Sequence, residues 1–275
     1  MITRRTITRT ILMAAAGTSL GSLALSADAP VVADDPLPPL PANLERFAGD
    51  AEYKSLQLDP QLLGTAKPSE AEFALARKIM DAAPKAIAPW EVAMFFRNVG
   101  QGVCKAGQEE CPKEWQPYAR AWPKKYNPII IEFFKATRTD PLAIDGDQTH
   151  WCAAFANWCI ARGNSRDGKI TEAQLKIGSR SASSGSFRCW FPETTSPKKG
   201  DLAVWAIRGT VRKCNTGPGH VAFFLEQKSD GSITVVGGNQ ALSGQSAVTQ
   251  ATYPKVRQTS RGVLEFHSFR SVPPL

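Results

Sequence analysis

From Trp151 to Arg162 the chain reads WCAAFANWCIAR, a strongly apolar helix that needs a large surface to pack against. A Ser/Gly-rich stretch (178–186) follows it. Short runs with strand character come next, at Leu202–Ile207, Val221–Glu226, Ser232–Val236 and Val263–Phe269, separated by Gly, Pro and Asn turns. One buried helix followed by antiparallel strands is an α+β arrangement. The full 275 residues, 43% apolar and 21% charged, have globular composition and can bury a sizeable core, so a small disulfide-only scaffold is excluded.

Ahead of this region the pattern is helical. Ser69 and Glu72 form a capping-box signature before an apolar-periodic run, which predicts a helix over about 70–82, stopped by Pro84. Glu91–Val99 and Asn127–Thr137 also read as helices, with aromatic- and Pro-rich loops between them. The expected organisation is an export signal over 1–27, a Pro-rich extended segment over 28–65, a helical accessory region over 66–140 and a catalytic domain over 141–275.

Export is read from the first residues. Arg4, Arg5 and Arg9 precede a weakly apolar run to Leu25 and a small-residue SADA stretch, the layout of a secretory or twin-arginine signal. Later segments are too short in apolar residues for stable membrane insertion. The net charge is +8, and loss of the three arginines leaves roughly +5, too mild to argue for nucleic acid without a recognition module. In an oxidising compartment the six cysteines are first read as disulfides. Cys104–Cys111 and Cys189–Cys214 are plausible pairs. Cys152 and Cys159, two helical turns apart, are too distant to bridge within a straight helix.

Those two thiols separate by position. Cys152 lies in the first turn of its helix, after possible caps Asp147, Gln148 and Thr149, where exposed N–H groups and the helix dipole favour thiolate. Cys159 sits mid-helix, where that effect has faded. Of three histidines, His220 opens the strand VAFFLE after GPG, whereas His150, two residues before Cys152, points to a different side of the helix. Asn239, in an expected turn GGNQ, is placed to orient the His220 imidazole. A phosphate-binding loop, a calcium loop and zinc-finger spacing all fail on residue type or frame, so no cofactor or metal is expected.

The order WCAAFANWC, GDLAVW, GHVAFF, VVGGNQ resembles the CHAP and NlpC/P60 papain-like peptidoglycan hydrolases, over the half of the chain from Asp147 onward. The resemblance implies a papain-like α+β domain, peptidoglycan as substrate, Cys152 as nucleophile and His220 as general base. Many members carry an acidic residue where Gly237 and Gly238 stand here, which leaves Asn239 for the third role. Gln148 is a candidate oxyanion donor and Trp190 a candidate groove residue. Amidase and endopeptidase activity remain alternatives, as do an acyltransferase with the same Cys-His pair and a non-catalytic wall-binding module.

Overall fold

The computed structural model describes residues 66–104, 110–140, 147, 149–209, 218–242, 245–259 and 262–274, all within one compact unit, Val32–Leu275. The expected export signal, the Pro-rich segment, Gln148 and Cys214 lie outside the described residues.

Helix α1 (Glu70–Ala82) starts with the expected capping box: Glu72 N–H donates to Ser69 Oγ, and Ser69 N–H donates to Glu72 Oε2 at 2.6 Å. Helix α2 (Pro89–Gly100) opens on proline, whose missing N–H costs nothing in a first turn. Helix α3 (Pro128–Phe134) is shorter than the predicted 127–137. Its end has a local cause. Thr137 Oγ donates to Phe134 O at 2.7 Å and accepts from Thr139 N–H, and this side-chain competition replaces the next helical turn. Helix α4 (Cys152–Gly163) is the apolar helix, and all of its residues are buried. The short α5 (Glu172–Leu175) and a 3₁₀ turn (Ser184–Arg188) follow.

The strands are β1 (Glu193–Thr194), β2 (Leu202–Ile207), β3 (Gly219–Gln227), β4 (Ile233–Leu242), β5 (Gln245–Tyr253), β6 (Val256–Thr259) and β7 (Gly262–Arg270). They form one antiparallel sheet in the order β1-β7-β2-β3-β4-β5, with β6 paired to β7. Alternation along β2 to β4 splits the side chains between two apolar clusters. Leu202, Val204, Val221, Phe223 and Val236 join the cluster that contains α4, while Ala203, Trp205, Ala222, Phe224 and Val235 join the other. The first cluster also takes Ile79 from α1, Phe96 from α2 and Phe133 from α3, with Phe96 and Phe133 edge-on to Phe155 and Trp158 of α4.

The GGNQ segment corrects an expectation. It is a bulged stretch of β4 rather than a turn: Gly237 pairs with Thr249 and Gln240 with Ala247, so three steps on β4 oppose two on β5. Asn239 takes the extra step in a left-handed conformation, φ 56°, which asparagine tolerates better than most residues. Among the described residues no helix is long and apolar enough to cross a membrane.

Candidate active site

Cys152 is the first residue of α4, and its position is set by Trp151, a fully buried residue at the N-cap. Trp151 supplies no side-chain cap. Asp147, expected as one of the caps, has another role: buried at 2% exposure, its Oδ2 accepts from Asn127 N–H at 2.6 Å and Trp122 N–H at 3.5 Å. The helix therefore begins without an N-cap carboxylate, which keeps the local field positive at the Cys152 end. Cys152 and Cys159 are outside any disulfide. Burial pushes the Cys159 thiol well above its ordinary pKa. Alkylation with iodoacetamide is thus expected to modify Cys152 before Cys159, as read by peptide mapping; earlier labelling of Cys159 would reverse the assignment.

Cys104 and Cys111 are bridged as expected, with an S–S length of 2.09 Å. Cys189 is also disulfide-bonded, and its expected partner Cys214 lies outside the described residues.

Residues of the β4 bulge contact the start of α4 and both His150 and His220. Gly238 faces the start of α4, since a Cβ there would lie 2.7 Å from Trp151 Cε3 and 2.8 Å from Phe155 Cγ. Asn239 Nδ2 donates to His150 Nδ1 at 2.9 Å, and Gln240 Oε1 lies 3.3 Å from His220 Nε2. Three consecutive residues therefore touch Trp151, His150 and His220. This corrects the expected role of Asn239. The side chain beside the His220 ring is Gln240, because the bulge shifts the alternation by one and turns Asn239 toward the residues ahead of α4.

The two imidazoles are held in the same tautomer but present opposite faces. Gln240 Nε2 donates to Gly237 O and Thr249 O, so its oxygen faces His220 and must accept a proton from Nε2. Neutral His220 then keeps its lone pair on Nδ1. At His150 the amide of Asn239 donates to Nδ1, so the neutral ring carries its proton on Nε2. One ring has its partner on the protonated nitrogen, the other on the bare one.

His220 is buried, with ring centroids of Trp205 and Tyr253 each 6.1 Å away, members of the second cluster, while Cys152 belongs to the first. Its pKa is pushed down to about 3, mainly because burial penalises the cation, with Arg257 adding repulsion and the Gln240 contact opposing it. Its ground state near neutral pH is the uncharged ring. His150 is half-buried.

Trp190 is 39% exposed, with its indole N–H held by Ile177 O at 2.8 Å, so the ring is fixed in orientation yet open to solvent. No group of three or more His, Cys, Asp or Glu capable of holding a metal occurs among the described residues.

Residues 144–239 match the family model of the CHAP domain. No curated protein and no solved structure matches the chain. CHAP domains are usually hydrolases acting on peptidoglycan. The match contains Cys152, His150, His220 and Asn239 but stops before Gln240 and before Ser246, whose Oγ donates to Asn239 Oδ1 at 2.5 Å. Those two were missed by sequence reasoning. No signal in one sequence announces a bulge inside an apparent turn, although two adjacent glycines in a strand pattern are a known mark of one.

Proposed function

We propose that this chain is an exported, papain-like cysteine hydrolase that cleaves an amide bond in peptidoglycan, with Cys152 as nucleophile and His220 as general base. The observation that carries the reading is the CHAP match over 144–239 with Cys152 as the first residue of α4, and the β4 bulge adds contacts with that helix start and with both imidazoles. The tautomers support the division of labour. His220 keeps a lone pair on Nδ1 to accept the thiol proton, whereas the Nδ1 lone pair of His150 is engaged by Asn239.

In this mechanism His220 Nδ1 takes the Cys152 proton as Sγ bonds to the amide carbonyl carbon, and the carbonyl π pair moves to oxygen. The oxyanion is stabilised at the α4 start. On collapse the C–N bond breaks and the leaving amine takes the proton from His220; water, deprotonated by the same ring, then releases the acid and restores the thiol. The depressed basicity of His220 favours proton transfer concerted with attack over a resting thiolate–imidazolium pair. Gln240 supplies a neutral partner to Nε2–H, so substrate binding that further dries the site need not bury a second charge.

The disulfide Cys104–Cys111 and the expected bridge of Cys189 fit an oxidising compartment. The CHAP match and the residue order favour peptidoglycan over other amides. Zymography on peptidoglycan-containing gels, with the protein and Cys152→Ala side by side, tests the reading. A clearing zone is expected only with Cys152 intact. Equal clearing by both would sink the cysteine mechanism.

A further inference from the structure

We propose that a cavity at the far end of α4 from Cys152 binds a small zwitterion, a short peptide with a free ammonium, a free carboxylate and an apolar side chain. Arg162 marks the place. Cys152 and Arg162 stand ten residues apart on α4, about 15 Å along its axis, so the cavity is separate from the candidate active site. Its volume is about 330 Å³, within the range of small-molecule sites. Asp81 lines it from the last turn of α1, Glu132 and Lys135 from the end of α3, and Arg162 from the last turn of α4. Trp158, Ile170 and Leu175 add apolar surface to the same lining. Asp81, Glu132 and Lys135 lie outside the CHAP match, so the cavity is built where the accessory helices meet the matched region.

Arg162 is the buried charge of this lining, 5% exposed. Backbone oxygens alone hold its guanidinium: Nε donates to Ala83 O at 3.1 Å, Nη2 to Asp81 O at 2.8 Å and Ala83 O at 2.6 Å, and Nη1 to Gly168 O. These contacts cap the end of α1, which has no basic residue in its last turn, and they use four of the five N–H groups. They bring no countercharge. Among the described residues no carboxylate lies within ion-pair distance of Arg162. Burial pushes its basicity down, and Asp81 and Asp167 oppose this from longer range. The remaining N–H is on Nη1, beside Gly168, which itself lines the cavity.

The pattern of charge decides the class of ligand. Two acids and two bases cancel, so a singly charged ligand is attracted by one pair and repelled by the other, whereas a zwitterion can satisfy both. The Asp81 carboxylate has no hydrogen-bond or ion-pair partner among the described residues and receives the ammonium. The ligand carboxylate takes the remaining N–H of Arg162 as a charge-assisted bond. Lys135 pairs with Glu132 at 2.6 Å from an exposed position, a weak contact that leaves both charges available to the ligand.

The test follows the indole ¹⁵N–H resonance of Trp158 in the full chain, assigned by its loss in Trp158→Phe, during titration with glycylleucine. A saturable shift and a raised urea midpoint are expected. Acetylglycylleucine, which lacks the ammonium, and glycylleucine amide, which lacks the carboxylate, are each expected to bind about tenfold more weakly. Asp81→Asn should weaken glycylleucine about tenfold and leave acetylglycylleucine unchanged. Arg162→Gln should weaken glycylleucine but not its amide, and Lys135→Ala, at an exposed side chain, tests the same side should Arg162→Gln fail to fold. No saturable shift, a singly charged probe binding as tightly as glycylleucine, or an equal effect of Asp81→Asn on probes with and without the ammonium overturns the site. Turnover does not enter the readout, so the result stands apart from the cysteine-hydrolase reading.

Discussion

His220→Ala is expected to cost roughly 10³-fold in turnover on peptidoglycan, approaching the complete loss expected for Cys152→Ala, while Gln240→Ala loses less. The thiol is a weak nucleophile until its proton leaves, and the buried Nδ1 of His220 is the base assigned to take it. Removing either partner removes the same step, so Cys152→Ala/His220→Ala should fall no further than Cys152→Ala alone. Gln240 acts through the ring: without it Nε2–H has no acceptor and the tautomer is no longer fixed. A His220→Ala variant with native turnover would remove His220 from the reaction.

The same ring sets a pH dependence of stability. A folded pKa of about 3 against an ordinary value of 6.5 means that the unfolded chain binds the extra proton between those limits. Stability from this group is therefore complete above pH 6.5 and is lost as pH falls toward 3, at up to about 1.4 kcal/mol per pH unit. Urea midpoints measured from pH 7 to pH 4 should fall less steeply in His220→Gln than in the unmodified protein. Equal slopes would show that His220 is not held neutral by its surroundings.

The legible part of the molecule was the part written in local periodicity. The Ser69–Glu72 capping box, the apolar stripe of α4 and the apolar runs of β2, β3 and β7 each carry their signal within a dozen residues. Strand β5 did not, because QSAVTQATY alternates weakly and is buried mainly at Ala247, Val248 and Tyr253. Asn239 was found as a residue of interest but given the wrong neighbour. Its side-chain direction depends on one extra residue in β4, and period-2 reasoning has no way to count a bulge that only the pairing with β5 defines. The contact chain from Ser246 through Asn239 to His150 was beyond reach for the same reason. It joins residues 246, 239 and 150 through tertiary contacts that no spacing rule relates.

Gly238→Ala is expected to be the most damaging single-methyl change in the site. The added carbon would sit 2.7 Å from Trp151 Cε3 and 2.8 Å from Phe155 Cγ, and neither ring has room to retreat. Trp151 is fully buried, stacked on Phe133 with centroids 6.1 Å apart, and Phe155 is wedged against Phe96 and Phe133. The clash must therefore be relieved by moving β4 away from α4, at a cost of about 3 kcal/mol, the upper end of ordinary overpacking. That movement carries Asn239 away from His150 and Gln240 away from His220, so turnover of the folded fraction should drop along with stability. Gly231→Ala is the control. It forces a side chain onto a left-handed backbone, φ 81°, a strain that Gly238 does not carry, but nothing lies within 4 Å, so it is expected to cost only about 1 kcal/mol and leave turnover unchanged. Urea midpoints and kcat for both variants separate the effects. A Gly238→Ala protein with the midpoint and kcat of the control would mean that the bulge does not couple the Cys152 helix to the two imidazoles.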